Sequence, residues 1–131
     1  MRRPTLLAAT LLTSGLLAGC ALFEGGALSR KYVVFFSRDS TSLDHPARRV
    51  VQQAAEAAAN HPELDLLVEG YAANNGDPAD DGVLAVRRGE VVADALRADG
   101  VAANRIIMRP RPPSNETAGE AARRVEIDFT Q

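Results

Sequence analysis

Apolar positions along this chain switch between strand spacing and helix spacing, and the switches mark its elements. Lys31 to Ser37 is β-branched and aromatic and predicts a strand buried on both faces. Asp44 offers a helix cap, with Pro46 in the first turn. Val50, Val51, Ala54, Ala57 and Ala58 then recur at helical spacing, and His61-Pro62 stops the helix. From Leu64 to Tyr71 the pattern alternates, with Leu64, Leu66, Val68 and Gly70 on the core face. A second helix is expected from Pro78 to about Asp99, with Gly100 as its stop. Its stripe reads Leu84, Val91, Val92, Ala95 and Leu96, and Gly82 and Gly89 each weaken it by up to about 1 kcal/mol. Arg105 to Arg109 is a short strand before Pro110. Arg124 to Thr130 is a strand with Val125, Ile127 and Phe129 facing in and charged residues facing out.

The predicted order is therefore β-α-β-α-β-β. It defines an α+β two-layer sandwich: a mixed four-stranded sheet with both helices on one face and solvent on the other. One domain from residue 31 to 131 accounts for the pattern, and no internal repeat is present.

The N-terminal segment has a different grammar. Met1-Arg2-Arg3-Pro4 is basic, and Leu6 to Ala18 is an apolar run too short to span a bilayer. It ends in Leu17-Ala18-Gly19-Cys20, which resembles the bacterial lipoprotein signal. The resemblance implies a signal peptide over 1–19 and a diacylglyceryl group on the Cys20 thiol. It also implies a tether over 20–30 and, with non-acidic Ala21 next, anchorage in the outer membrane with the domain facing the periplasm. Multiple acyl chains anchor firmly because each buried methylene contributes about 0.8 kcal/mol. Ala21 to Arg30 extends at most about 35 Å, so the domain would sit close to its membrane. Cys20 is the one cysteine, so lipidation would leave no thiol for a disulfide or catalysis.

Composition adds exclusions. The formal net charge of −2 gives no nucleic-acid footprint. Lys31 is the sole lysine among mostly arginine cations, a compositional trait. His45 and His61 flank the first helix as exposed helix-end residues. No zinc cluster, phosphate loop or nucleophile elbow is present, so neither a cofactor nor an enzyme is expected.

Chemistry concentrates between Val68 and Gly89. A strand end, Val68-Glu69-Gly70-Tyr71, leads into a Gly-, Asn- and Asp-rich turn and a helix start at Asp77-Pro78. Arg87-Arg88 follows within that helix. Helix N–H groups and guanidinium donors together suit an anion. Arg88 shares a face with Leu84, Val91 and Ala95, so it either snorkels at the stripe edge or serves a ligand; Arg87 reads as solvated.

These pieces, with Val33-Val34-Phe35-Phe36, Asp39, Leu43, Gly76, Ala95-Leu96, Gly100-Val101, Arg105-Ile106 and Arg123-Arg124-Val125-Glu126-Ile127, resemble the OmpA-like peptidoglycan-binding domain. The resemblance runs from Tyr32 to the C-terminus. It implies a last strand antiparallel to its neighbours and peptidoglycan as the partner. In that family an aspartate in the turn and an arginine in the helix clamp the diaminopimelate of the stem peptide. The arginine maps onto Arg88, the aspartate onto Ala73 and the adjoining threonine onto Ala72. Asp81 stands for a family asparagine, Ala85 for a serine, and Ala122 for an asparagine before the paired arginines. The ammonium acceptor is thus missing from its usual place. Asp77, Asp80 and Asp81 suit a helix N-terminus, but Asp81 or the Asn74 carbonyl are alternative acceptors. The expected ligand residues are Arg88, Asn74, Asp81, Tyr71 and Gly76. Two readings stay open: an envelope tether that binds peptidoglycan, or a degenerate domain that has lost the ligand and contacts envelope proteins.

Overall fold

A computed structural model describes residues 28–72, 78–110 and 120–131. Residues 1–27, with Cys20, and the turn holding Ala73, Asn74, Gly76 and Asp77 lie outside this set.

Strand β1 (Lys31–Phe35) leads to helix α1 (His45–Asn60), β2 (Asp65–Gly70) and helix α2 (Pro78–Ala98). A 3-10 turn (Ala103–Arg105), β3 (Ile106–Pro110), a second 3-10 turn (Glu120–Ala122) and β4 (Arg124–Thr130) complete the order. The sheet runs β1-β4-β2-β3. β2 and β3 are parallel, which requires a crossover, and α2 supplies it. β4 lies antiparallel to β1 and to β2, with Val34 and Gly70 both opposite Val125. The expected mixed sheet and its antiparallel last strand are what the chain forms.

Helix α1 begins where Asp44 Oδ1 accepts the Ala47 amide at 2.8 Å. Its far end is closed from a distance. Arg105 donates to the carbonyls of Leu64 at 2.9 Å, Ala58 at 3.1 Å and His61 at 2.7 Å, satisfying groups that a helix end leaves open. Helix α2 ends in a Schellman motif. Gly100 takes φ 99°, its amide meets the Arg97 carbonyl at 3.0 Å, and the Val101 amide meets the Leu96 carbonyl at 3.0 Å. Val101 is buried in the same core as Leu96.

The core lies between helices and sheet. Val34, Leu66, Val68, Val125, Ile127 and Phe129 from the sheet meet Val51, Ala54, Ala58, Val92 and Leu96 from the helices. Alanines on α1 let it approach closely. Three expectations need correction. β1 is not buried on both faces: it is an edge strand in which Val34 points to the core and Phe35 is 44% exposed. The buried face of α2 is Ala85, Arg88, Gly89, Val92 and Leu96, while Leu84, Val91 and Ala95 flank it half-buried. The stripe is rotated because β2 abuts the helix at small residues rather than at leucines. The face opposite the helices is not simply solvated, since Glu69 and Glu126 are buried there.

Gly70 explains that rotation. A Cβ there would lie 2.1 Å from the Ala85 carbonyl oxygen, so the helix backbone rests directly on the strand. At Gly89 a Cβ would meet the flexible end of Met108 at 2.9 Å. Gly70→Ala should therefore destabilise the fold by about 2 kcal/mol or more, because backbone must move. Gly89→Ala should be neutral or stabilising, the displaced methionine tip being offset by about 1 kcal/mol of helix propensity. Urea unfolding of the two variants measures the contrast.

Candidate functional site

The site grows from the loop after β1. The Phe36 amide donates to the Arg123 carbonyl at 2.9 Å, extending the β1–β4 pairing one step past the strand. The chain then turns, with the Ser40 amide on the Ser37 carbonyl at 3.2 Å and Asp39 at φ 53°. That left-handed conformation is one aspartate tolerates better than most side chains. The turn aims two carbonyls inward, and Arg88 binds both: Nε donates to Ser40 O at 2.9 Å and Nη2 to Ser37 O at 3.1 Å.

Arg88 does not snorkel. Its residue exposure is 0%, and its guanidinium lies over the Phe36 ring, 5.3 Å from the centroid. Its Nη1 is buried and has no hydrogen-bond partner among the described residues. Burial pushes its pKa down, as does the positive charge of Arg123, and Asp39 acts in the opposite direction. An unpaired buried guanidinium nitrogen is costly, and an anion would satisfy it. Arg123 borders the same place, donating from Nε to the Phe36 carbonyl at 3.2 Å.

The other expected residues distribute unevenly. Asp81 is buried at 5% exposure, two turns before Arg88 on the same helix face with Ala85 between them. Arg87 is exposed. Tyr71 does not join Arg88: it lies on the open sheet face, its ring under the Arg124 guanidinium at 4.0 Å. Its hydroxyl stands 3.5 Å from Glu69 and 3.4 Å from Glu126. Asn74 and Gly76 fall outside the described residues.

Sequence reasoning missed the group Tyr71 belongs to. Glu69 and Glu126 are direct cross-strand partners, and with Asp128 they bring carboxylate oxygens within 4.8 Å of one another. That spacing suits a cation, but the protein's own cations already engage it. Lys31 Nζ reaches Glu126 at 2.8 Å and Asp128 at 3.6 Å, Arg124 Nε reaches Glu126 at 2.8 Å, and Arg109 approaches Glu69 at 3.8 Å. Only the β2–β4 register reveals this cluster, and residue pattern alone does not give register. A separate cleft of about 150 Å³ between α2 and the β3 edge is lined by Gly70, Ala85, Gly89, Met108 and their neighbours, and Arg88 is not part of it.

The fold thus defines a two-layer α+β domain that buries an arginine beside the β1–α1 loop. The OmpA family model matches residues 35–125, and the chain belongs to that family. It is 33% identical over 73 residues to a peptidoglycan-associated lipoprotein of Agrobacterium fabrum, covering 56% of this chain and 41% of that one. The chain therefore matches about two fifths of that relative's length. Among solved structures, the peptidoglycan-associated lipoprotein from Burkholderia pseudomallei superposes with a TM-score of 0.68 at 24% identity, covering 76% of this chain and 90% of the other. The OmpA-like domain of FopA1 from Francisella tularensis gives the same TM-score at 17% identity, with 76% and 73% covered. At these identities the structural matches establish the fold.

The open-face cluster generates a pH prediction. Burial alone pushes the Glu126 carboxyl up, but hydrogen bonds from Lys31 and Arg124 outweigh it and hold the pKa below the ordinary 4.5. A depressed acid stabilises the fold above its unfolded pKa and loses that contribution as pH falls through the folded value. Asp128 has the opposite sign: burial first, then Glu126 and Glu69, raise it despite Lys31, so its ionised form costs stability at neutral pH. Glu126→Gln should lower stability at pH 7 by about 1 kcal/mol, and the difference should vanish well below pH 4. Asp128→Asn should raise stability at pH 7. Denaturant unfolding across pH 2 to 8 checks both signs.

Proposed function

We propose that this chain is an outer-membrane lipoprotein whose periplasmic OmpA-like domain binds peptidoglycan non-covalently and tethers the envelope. The observation that carries the reading is the buried Nη1 of Arg88, a charged donor without a partner among the described residues. A carboxylate of the diaminopimelate stem peptide supplies the acceptor that this nitrogen lacks. Family membership and the peptidoglycan-associated lipoproteins among its relatives support the same ligand. Lipid on Cys20 provides the membrane end of the tether, and the domain acts by binding rather than by catalysis. Among the described residues no helix is long and apolar enough to cross a membrane.

A second reading rests on Ala73, which offers no carboxylate where the family clamp has its aspartate. On that reading the domain has lost peptidoglycan and contacts envelope proteins. Losing one partner of a buried charge pair typically costs 2–5 kcal/mol, so Ala73→Asp should gain sacculus binding if the site still works.

Purified sacculi should retain the wild-type protein in a sedimentation assay. Retention should fall about tenfold or more in Arg88→Lys, which keeps the charge and loses the planar fork. No wild-type retention, together with no gain in Ala73→Asp, selects the second reading. Independently, Cys20→Ser should move the protein from the membrane fraction to the soluble fraction, measured by fractionation and by loss of radiolabelled palmitate.

A further inference from the structure

The far edge of the sheet carries a feature that the arginine site does not use. β3 is the outer strand beyond β2, so alternate residues along it turn their N–H and C=O groups away from the sheet. Among the described residues, Ile107, Met108 and Arg109 make no backbone hydrogen bond outside the sheet ladder. Ile107 and Met108 are also exposed large apolar residues, at 43% and 39%. Proteins usually blunt such an edge with charge or proline, and here Arg109 and Pro110 follow only after the exposed pair. Met108 turns toward α2, close to Gly89, while Ile107 and Arg109 turn to the open face, where Arg109 approaches Glu69. Beside Met108 lies the cleft of about 150 Å³, with Gly70, Ala85 and Gly89 in its lining. We propose that the β3 edge and this cleft are a docking site for an extended segment of a partner protein. The segment adds a strand beside β3, sets an aliphatic side chain into the cleft and places an adjacent acidic side chain against Arg109.

In strand addition of this kind, backbone pairing supplies affinity and pockets for alternate side chains supply selectivity. An apolar cleft of this size takes one aliphatic side chain, and its glycine and alanine lining leaves that side chain to fill the space. The acid follows from charge. The Arg109 side chain is 62% exposed and its ion pair with buried Glu69 is long, at 3.8 Å, so its guanidinium presents positive charge on the open face. Glu90, exposed at the cleft, disfavours an acid inside it. The apolar residue therefore enters the cleft and its sequence neighbour carries the acid, an alternation that consecutive residues of one strand provide. Arg88 is not part of the cleft, so the docking site stands independently of the peptidoglycan reading.

The test selects a phage-displayed library of random linear peptides on the purified full chain in detergent micelles. Enriched peptides should carry Val, Leu or Ile next to Asp or Glu. As synthetic peptides they should shift the backbone amides of Ile106 to Arg109 in ¹⁵N spectra. Arg109→Glu should weaken them about tenfold or more, and exchanging the peptide's acid for lysine should restore the loss. Met108→Lys, which brings a charge to the cleft, should abolish peptide binding while leaving retention on sacculi as in the wild type. No enriched pattern, or affinity that Arg109→Glu leaves unchanged, overturns the proposal. So do shifts centred on Ser37, Ser40 and Arg88 instead of β3. Sedimentation that finds the wild type dimeric and Met108→Lys monomeric overturns it too, because the edge then belongs to a second copy of the chain.

Discussion

The structure depends on β4 inserting between β1 and β2. Those two strands run parallel and do not pair with each other, so the sheet has no continuity until the C-terminal strand pairs with both. Its inward residues, Val125, Ile127 and Phe129, fill the centre of the core. The same insertion carries Arg123 against Phe36 and lays Glu126 beside Glu69. Core, arginine site and open-face charge cluster are three consequences of one pairing. Because that pairing joins residues near opposite ends of the domain, none of the three forms from local structure alone.

Local rules were legible where the relevant partners are neighbours in sequence. Asp44, Pro46, Gly100 and the alternation of Arg124 to Thr130 announced their roles, and the element order led to the correct sheet type. What failed were faces decided from far away. Apolar residues in β1 suggested a strand covered on both sides, but edge placement leaves Phe35 exposed. The leucine and valine spacing of α2 suggested a stripe that the contact of Gly70 with Ala85 rotates. An acid at Glu69 reads as a surface residue until strand register puts Glu126, Tyr71 and Arg109 around it.

The site divides the same way. Arg88 was legible as a helix-face arginine inside a family pattern. Its loop carbonyls, its aromatic neighbour and Arg123 were not, because each arrives from a segment distant in sequence. Tyr71 was drawn to the ligand by sequence proximity, yet one step along a strand reverses the side-chain direction. The result is a site assembled by the β1–α1 loop, α2 and the residue preceding β4, with the sheet separating it from Tyr71.

The placement of that loop also sets how the domain carries mechanical load. A membrane anchor before β1 would pull at Lys31, while a ligand held at Arg88 resists near Ser37 and Ser40, just past the other end of the same strand. Tension would then run along β1 and load its ladder with β4 in shear, so that the five register pairs from Lys31 to Phe35 resist together instead of peeling apart in turn. The edge strand that leaves Phe35 exposed is, in this geometry, the one placed in the line of force.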